Sequence, residues 1–253
     1  MVSFLEALLL SIIQGITEWL PISSSGHLAI LHNIFGVQNL AFDVFLHFAS
    51  VLAVFFIFWR DIIKLFNFKD KENLRYIWLL ILALIPAAIV GILFKNQIAS
   101  FFSSFFYLGV FFMISGIIVY STKFSVAKKE KPSWFDSVFI GVFQAIAILP
   151  GISRSGATIS SAMFRGLQKE AAIKFSFIMA IPLILGATAI ESKELILENP
   201  GFLILAMSFV ITFLISIITI KILIKIIQNR RFYLFGIYNF ILGLAVFVWS
   251  FFV

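Results

Sequence analysis

Most positions along the chain are apolar, and they fall into long runs separated by short polar loops. Six of these runs are close to the ~20 residues that a helix needs to cross the hydrocarbon core of a bilayer. The six runs cover residues 39–59, 76–93, 105–122, 171–190, 202–220 and 232–253. This pattern predicts an all-α integral membrane protein with six full transmembrane helices.

Two further apolar segments are each interrupted by a polar string, and the two strings are near copies. The first reads Pro-Ile-Ser-Ser-Ser-Gly-His at 21–27, and the second reads Pro-Gly-Ile-Ser-Arg-Ser-Gly at 150–156. In both copies a Gln stands twelve positions before the last Gly of the string, Gln14 in the first and Gln144 in the second. Hydroxyl and guanidinium groups are costly in lipid, so their presence at membrane depth indicates a function.

The two interrupted segments, 2–36 and 135–166, are predicted to be re-entrant helical hairpins. In each segment, the part that follows the string has only about ten residues, which is about 15 Å of helix and half of the hydrocarbon thickness. Such a helix cannot cross the membrane. The polar strings are therefore expected at the tips of the hairpins.

The distribution of Lys and Arg supports the hairpins. If both hairpins return to the face that they entered, four loops share one face: 60–75, 123–134, 165–174 and 221–231. These loops carry sixteen of the nineteen Lys and Arg residues, whereas the other face carries Lys95 and Lys193. Two full crossings instead would divide the charges ten against eight. Because cytoplasmic loops are enriched in Lys and Arg, we predict that the sixteen-charge face is cytoplasmic and that both termini lie outside.

The number of crossings predicts an inverted repeat within a single membrane domain, 1–253. Residues 1–122 contain one hairpin and three spans, and residues 135–253 contain the other hairpin and three spans. The basic stretch 123–134 links them. Since three is odd, the second repeat is upside down relative to the first, and the two hairpin tips can meet near the midplane.

Composition agrees with a membrane protein and excludes several other classes. Hydrophobic residues make up 62% of the chain and charged residues 12%, so an ordinary soluble domain is excluded. The absence of Cys excludes disulfides, thiol catalysis and cysteine metal sites. The formal net charge of +7 is explained by the cytoplasmic loops, so the expected partner is the lipid bilayer and not nucleic acid.

Each string can bind an anion because it places Ser and Gly residues at the start of a short helix. Free N–H groups and the positive end of the helix dipole attract anions at such a position. Arg154 adds a permanent charge and a planar set of donors suited to phosphate oxygens. Two opposed tips would hold an anion from both sides.

The first string also carries groups for chemistry. Gln14 and Glu18 share a helix face, and Glu18 could bind a divalent cation, pair with Arg154 or act as a base. His27 follows Ser24 by three residues, a spacing that could form a Ser-His-carboxylate arrangement with Glu18 orienting the ring. His27 could also accept the phosphoryl group itself.

Three polar residues near the start of the first span are weaker candidates. Asp43 and His47 are four residues apart, so they could pair with each other or border the site. His32 is expected to cap its helix or to face the membrane interface.

The two strings resemble the signature motifs of the undecaprenyl-diphosphatase family, which is also known for bacitracin resistance. The similarity comprises Gln14-x-x-x-Glu18, the string 21–27, and Pro-Gly-x-Ser-Arg-Ser-Gly-Ala-Thr at 150–158. It implies hydrolysis of undecaprenyl or another polyprenyl diphosphate to the monophosphate and phosphate. This reaction recycles the lipid carrier for peptidoglycan synthesis at the outer face of the plasma membrane.

The resemblance also implies roles for individual residues. Catalysis is assigned to four of them: Glu18, Ser24, His27 and Arg154. Substrate binding is assigned to eight others: Gln14, Ser23, Ser25, Gly26, Ser153, Ser155, Gly156 and Thr158. Asp43 matches an acidic position of the family. The first family motif begins with Glu or Gln, and because this chain has Gln there, Glu18 is the expected ligand of a divalent cation, Mg²⁺ or Ca²⁺.

The mechanism expected from this assignment has Ser24 as the nucleophile and His27 as the group that handles its proton. Glu18 orients His27 or holds the cation, and Arg154 stabilises the transferring phosphoryl group. Direct attack by water, or by His27, is an alternative.

A transporter is the main alternative function, because inverted repeats with broken helices at the midplane are also a transporter design. Such a protein would flip a polyprenyl phosphate or carry a small anion. The Ser-Ser-Ser-Gly-His string favours an enzyme, since an anion carrier does not require a hydroxyl beside a His.

Overall fold

A computed structural model describes residues 2–36, 39–198, 201–229 and 231–252, and for residues 191–198 it describes the backbone only. Over these ranges the chain forms eleven α-helices. In order they are α1 (Phe4–Thr17), α2 (Ser24–Phe35), α3 (Leu40–Leu65), α4 (Lys71–Leu93), α5 (Lys95–Phe101), α6 (Phe105–Tyr120), α7 (Trp134–Ile146), α8 (Arg154–Phe164), α9 (Lys169–Glu198), α10 (Phe202–Gln228) and α11 (Leu234–Trp249). A 3₁₀ turn, Ser121–Phe124, follows α6. The predicted all-α class is confirmed.

Five of the described helices are long and apolar enough to cross a membrane: α3, α4, α6 with its 3₁₀ turn, α9 and α10. The sixth helix in a predicted span, α11, is apolar and has 16 residues. Helices α3, α4 and α10 continue beyond the predicted spans into the basic loops. The side chains of Lys193 and Arg230, and the last residue of the predicted span 232–253, lie outside the described residues.

The two interrupted segments form two helix pairs, α1 with α2 and α7 with α8. The first arm of each pair begins with a capping box, formed by Ser3 and Glu6 in α1 and by Ser133 and Asp136 in α7. The connections between the arms contain the polar strings. We term residues 18–26 the first tip and residues 148–156 the second tip.

The first arm of each pair packs on a long helix from the other half of the chain. Helix α1 packs on α10 at Gly15, where a Cβ would lie 2.8 Å from the Cβ of Ile215. Helix α7 packs on α4 at Gly141, where a Cβ would lie 2.6 Å from the carbonyl oxygen of Ala83. Both contacts need a glycine, and together they interleave the two halves of the chain.

Two other helix pairs enclose the tips. Helices α6 and α11 approach each other closely along four glycines: Gly109, Gly116, Gly236 and Gly243. Helix α3 packs along α9, and their contact includes an aromatic core in which Trp19 of the first tip meets Phe177 of α9 at 4.7 Å between ring centroids. Both rings are fully buried, so this side of the tips is closed.

Candidate active site

The two tips share one local structure, which begins with a Ser that caps the second arm. The Ser23 hydroxyl accepts a hydrogen bond from the Gly26 N–H at 3.2 Å, and the Ser153 hydroxyl accepts one from the Gly156 N–H at 3.0 Å. Each capping hydroxyl also contacts the hydroxyl two residues later, at 3.3 Å in the first tip and 3.2 Å in the second. The duplicated sequence therefore builds two equivalent helix N-termini.

The backbone of the two tips turns by different means. Ser23 has φ 68° and ψ 93°, and it is the one non-glycine residue with positive φ in the part of the chain that the structure describes. The second tip places its positive φ at Gly151, with φ 101°, and Ser153 is extended with φ −70°. Such backbone strain costs about 1–3 kcal/mol at a non-glycine residue and often marks functional sites.

The tips touch each other directly. The Ser155 hydroxyl donates to the carbonyl oxygen of Leu20 at 3.0 Å. A Cβ on Gly26 would lie 2.9 Å from the Cα of Gly151 and 2.5 Å from the ring of Phe112, so a glycine is needed where the tips meet. The expected meeting of the two polar strings is therefore seen in the fold.

A buried polar bridge from α6 and α11 also joins the tips. The Asn239 side-chain amide donates to the carbonyl oxygen of Pro21 at 2.7 Å and to the Ser115 hydroxyl at 3.3 Å. The Ser115 hydroxyl in turn accepts the Ser153 N–H at 3.1 Å. Both bridging side chains are fully buried. Loss of either one would leave a buried polar group without a partner, which would lower the free energy of unfolding.

Glu18 is the carboxylate on which the two tips converge. The Ser24 hydroxyl donates to Glu18 Oε2 at 2.6 Å, and the Gln14 side-chain amide donates to the same oxygen at 3.1 Å. Arg154 Nη2, from the second tip, donates to Glu18 Oε1 at 2.5 Å. His47 Nε2, from α3, forms an ion-pair contact with Oε2 at 3.2 Å. The buried carboxylate thus receives contacts from three segments of the chain, and among these groups Arg154 is a permanent cation.

Arg154 keeps one donor available for a ligand. Its guanidinium lies 5.1 Å from the centroid of the Trp19 ring, and Nη2 is engaged by Glu18. Its Nη1 is buried and has no hydrogen-bond partner among the described residues. Because a buried guanidinium nitrogen without a partner is costly, Nη1 is suited to an oxyanion that enters the site.

A cavity of about 250 Å³ opens beside these groups. Its polar lining consists of Glu18, Ser23, Ser24, Ser25, His47, Gln144, Ser153 and Arg154. Its apolar lining comes from α3, from the end of α7 and the second tip, and from the second half of α9. The site can therefore hold a phosphate group at its polar end and a hydrocarbon chain along its apolar wall.

The remaining predicted binding residues support the tips without lining the cavity. The N–H groups of Gly26 and Gly156 are used by the capping serines. Ser155 bridges to the first tip, as described above. The Thr158 hydroxyl donates to the carbonyl oxygen of Arg154 at 2.8 Å and contacts the Ser176 hydroxyl at 2.6 Å, so it ties α8 to α9.

His27 does not form the expected arrangement with Ser24 and Glu18. Its Nδ1 contacts the carbonyl oxygen of Ser23 at 2.7 Å, and its Nε2 contacts the hydroxyl of Tyr238 at 2.8 Å. A helical side chain leans over the preceding turn, and here that direction takes the ring to the Ser23 carbonyl and away from Glu18. The Tyr238 ring stacks on it with an interplanar angle of 4°. Glu18, not His27, is the hydrogen-bond partner of Ser24.

The three weaker candidates form a connected group. The Asp43 carboxylate pairs with His32 Nε2 at 2.7 Å, whereas its backbone carbonyl oxygen contacts His47 Nδ1 at 2.7 Å. His32 is buried beside Asp43 of α3, so the expectation that it faces the membrane interface is wrong. Of the two alternatives for His47, the structure supports the second, since His47 lines the cavity. It contacts only the backbone carbonyl oxygen of Asp43, whose carboxylate pairs with His32 instead.

Sequence reasoning missed Ser115 and Asn239, which join the tips. Both lie in apolar spans, and an Asn within such a span is a signal, because an amide in lipid needs a partner. Gln144, which the sequence shows only as the counterpart of Gln14, lines the cavity. Its side-chain Oε1 is buried and has no hydrogen-bond partner among the described residues.

Comparison with known proteins gives one consistent family. A family model described as "Bacitracin resistance protein BacA" matches residues 7–245. The undecaprenyl-diphosphatase of Methanobrevibacter smithii is 38% identical over 269 residues and covers 97% of each chain. Those of Methanococcus vannielii and Alkaliphilus metalliredigens are 39% and 36% identical, and in both comparisons at least 96% of this chain and 98% of the relative are covered. Since the match extends over nearly the whole chain, this protein belongs to the bacitracin resistance protein BacA family.

Proposed function

We propose that this membrane protein is a phosphatase that hydrolyses undecaprenyl diphosphate, or another polyprenyl diphosphate, to the monophosphate and phosphate. The observation that carries the proposal is the contact of Ser24, Glu18 and Arg154 at the cavity. It combines a hydroxyl nucleophile, a carboxylate that accepts its proton, and a cation for the phosphoryl oxygens. Phosphoryl transfer needs mainly positioning and charge stabilisation, which these groups supply.

In the first step, Ser24 Oγ attacks the terminal phosphorus of the diphosphate. The bond from this phosphorus to the bridging oxygen breaks, and the polyprenyl monophosphate leaves. Glu18 Oε2 accepts the hydroxyl proton, which then passes to the leaving phosphate. Arg154 Nη1 and the positive ends of the α2 and α8 helix dipoles stabilise the charge on the transferring group.

In the second step, water attacks the phosphorus of the phosphoserine. Glu18 accepts one proton from this water and returns it to Ser24 Oγ as the bond between phosphorus and Oγ breaks. Inorganic phosphate leaves, and the site regains its starting protonation. His27 has no part in these proton transfers, because its two ring nitrogens contact Ser23 and Tyr238.

A divalent cation at Glu18 stays a prediction. No three His, Asp or Glu side chains within the described ranges are grouped so that they could hold an ion by themselves. Mg²⁺ is usually bound by one or two carboxylates together with the phosphate oxygens of its substrate. The cavity-lining residues Glu18 and Gln144 carry side-chain oxygens that would hold such an ion, and the ion would shield the charge of the diphosphate.

We further propose six full spans, two re-entrant hairpins and an inverted repeat. The arms α1, α2, α7 and α8 have 14, 12, 13 and 11 residues. At about 1.5 Å per residue they are shorter than the ~30 Å hydrocarbon core, which supports re-entrant hairpins. Sixteen basic residues on one face support a cytoplasmic position for that face and an outer position for both termini.

The cavity is proposed to open to the outer face of the plasma membrane. Its walls include Val44 and His47 near the start of α3, and Ala187 in the second half of α9. In the topology above, both of these ends lie at the outer face. The opposite end of the α3 and α9 pair is filled by the aromatic core around Trp19 and Phe177.

The experiment that tests the proposed function is phosphate release from undecaprenyl or farnesyl diphosphate by the purified protein in detergent. We expect release of one phosphate for each monophosphate formed. No release, with or without Mg²⁺ or Ca²⁺, would refute a phosphatase. The transporter alternative predicts instead that the protein moves a polyprenyl phosphate or inorganic phosphate across liposomes without hydrolysing diphosphate.

A further inference from the structure

The catalytic carboxylate has a partner that belongs to neither tip, namely His47 on α3. His47 Nε2 lies 3.2 Å from Glu18 Oε2, and a quarter of the His47 side chain is exposed. The residue lines the same cavity as Ser24 and Arg154. A His that reaches a buried carboxylate from a third segment of the chain requires an explanation beyond packing.

The ring of His47 is oriented by its second nitrogen. Nδ1 contacts the carbonyl oxygen of Asp43 at 2.7 Å, and a carbonyl oxygen can only accept, so Nδ1 carries a hydrogen. Nε2 faces a carboxylate, which also accepts. The ring is thus held on both sides, by the Asp43 carbonyl oxygen at Nδ1 and by Glu18 Oε2 at Nε2.

The contacts of the two carboxylate oxygens are unequal. Oε2 contacts Ser24, Gln14 and His47, whereas Oε1 is held by Arg154. An entering diphosphate can engage the second nitrogen of Arg154, Nη1, because charged phosphate oxygens are strong acceptors. Since Arg154 holds only Oε1, the contacts of Oε2 must keep the proton-accepting oxygen in place.

We propose that His47 is a positioning residue for the phosphatase reaction. It holds Glu18 Oε2 against the Ser24 hydroxyl while Arg154 engages the phosphoryl group. The role rests on the proposed function and adds to it a residue from outside the two duplicated strings. It acts through Glu18 and not through contact with the substrate.

Two variants test this role. His47→Leu removes the ring contacts, and His47→Gln keeps a side-chain donor near Glu18 without an aromatic ring. We expect His47→Leu to lower kcat by about 10- to 100-fold with little change in KM, because a small displacement of a catalytic group has an effect of this order. We expect His47→Gln to recover most of this loss.

The matched control is Phe48→Leu, at the next position of α3. The Phe48 ring packs on Phe209, with 6.4 Å between centroids, and its variant should leave kcat unchanged. Thermal unfolding of all variants in detergent identifies any that fail to fold. If His47→Leu is folded and as active as the wild type, or if it raises KM alone, the positioning role is wrong. A wild-type protein without activity would instead refute the proposed function itself.

A double-mutant cycle with Glu18→Gln separates action through Glu18 from independent action. If His47 acts through the carboxylate, His47→Leu should add no further loss of kcat to Glu18→Gln. Losses that multiply would mean that the two residues act independently, which would overturn the proposal.

Discussion

The two tips are copies of one anion-binding structure, a helix start capped by a Ser, and they differ at the position directly after the capping serine. The first tip has Ser24 there, and the second has Arg154, yet both side chains bind the same carboxylate, Glu18. The position equivalent to Glu18 in the second tip is Ile148, which lines the cavity as part of its apolar wall. The first tip thus provides the nucleophile and its base, and the second tip provides the cation. A single diverged position is enough to divide nucleophile and cation between two otherwise equivalent helix starts.

The largest effect is expected when the first tip loses its hydroxyl. Ser24→Ala should lower kcat by at least about 10³-fold, because removal of a nucleophile has effects of this size or larger in other hydrolases. Ser25→Ala is the matched control, since Ser25 bonds the Ser23 hydroxyl and not Glu18. Steady-state phosphate release measures both. Equal losses for the two variants would contradict a special role for the position after the cap.

Arg154 tests the second tip. Arg154→Ala should lower kcat by about 10²-fold or more, because it removes the donor that stabilises the transferring phosphoryl group. Arg154→Lys should recover only part of this, since a point charge cannot hold Glu18 and a phosphate oxygen with two separate nitrogens. Measurement of kcat and KM for both variants checks this expectation. If Arg154→Lys equals the wild type, charge alone explains the residue.

The bridge between the tips should have a smaller effect that appears in stability as well as in rate. Asn239→Leu leaves the Pro21 carbonyl and the Ser115 hydroxyl without their donor, which should cost about 1–3 kcal/mol. We expect a lower midpoint of thermal unfolding in detergent and a lower kcat at a temperature where the variant is folded. Ser115→Ala in the Asn239→Leu background should add less than it does alone, because the two residues share one network. Additive losses would mean that the bridge is not a unit.

The smallest effect is expected from glycine variants of the two capping serines, which compare the backbone strain of the two tips. Ser23→Gly removes a capping hydroxyl, which costs only a few tenths of a kcal/mol for a change to Gly, but it also relieves a positive φ. Ser153→Gly loses its cap with no such relief, because Ser153 is already extended. The unfolding midpoint should therefore fall more for Ser153→Gly than for Ser23→Gly. The reverse order would contradict the difference in strain.

The hydrophobic pattern and the duplicated strings predicted the helical class and the meeting of the tips. Membrane helices follow from runs of apolar residues, and a repeated string at the same spacing is visible without any structure. The partner of Ser24 was predicted incorrectly, because spacing along a helix does not give the direction of a side chain. The ring of His27 turns to Tyr238, a residue on a helix more than 200 positions away.

The approach of His47 to Glu18, and the bridge of Ser115 and Asn239, depend on how distant helices pack. The sequence shows only that these residues are polar and lie within or beside apolar spans. That position indicates that each side chain has a polar partner, but it does not identify the partner. The contact between Arg154 and Glu18 could be anticipated as one alternative, since a buried guanidinium needs a counter-charge. The sequence could not show that Glu18 pairs with Arg154, because that contact depends on how the two tips are placed relative to each other.

The most direct test of the division between the tips is to trap the phosphoenzyme during turnover of a diphosphate labelled at its terminal phosphate. The account predicts a phosphoserine at residue 24, stable in acid and labile in base, which mass spectrometry of the digested protein would locate. It predicts that Ser25→Ala still forms this species and that Ser24→Ala does not. A phosphohistidine at His27, or rapid release of monophosphate with no labelled protein, would contradict the account.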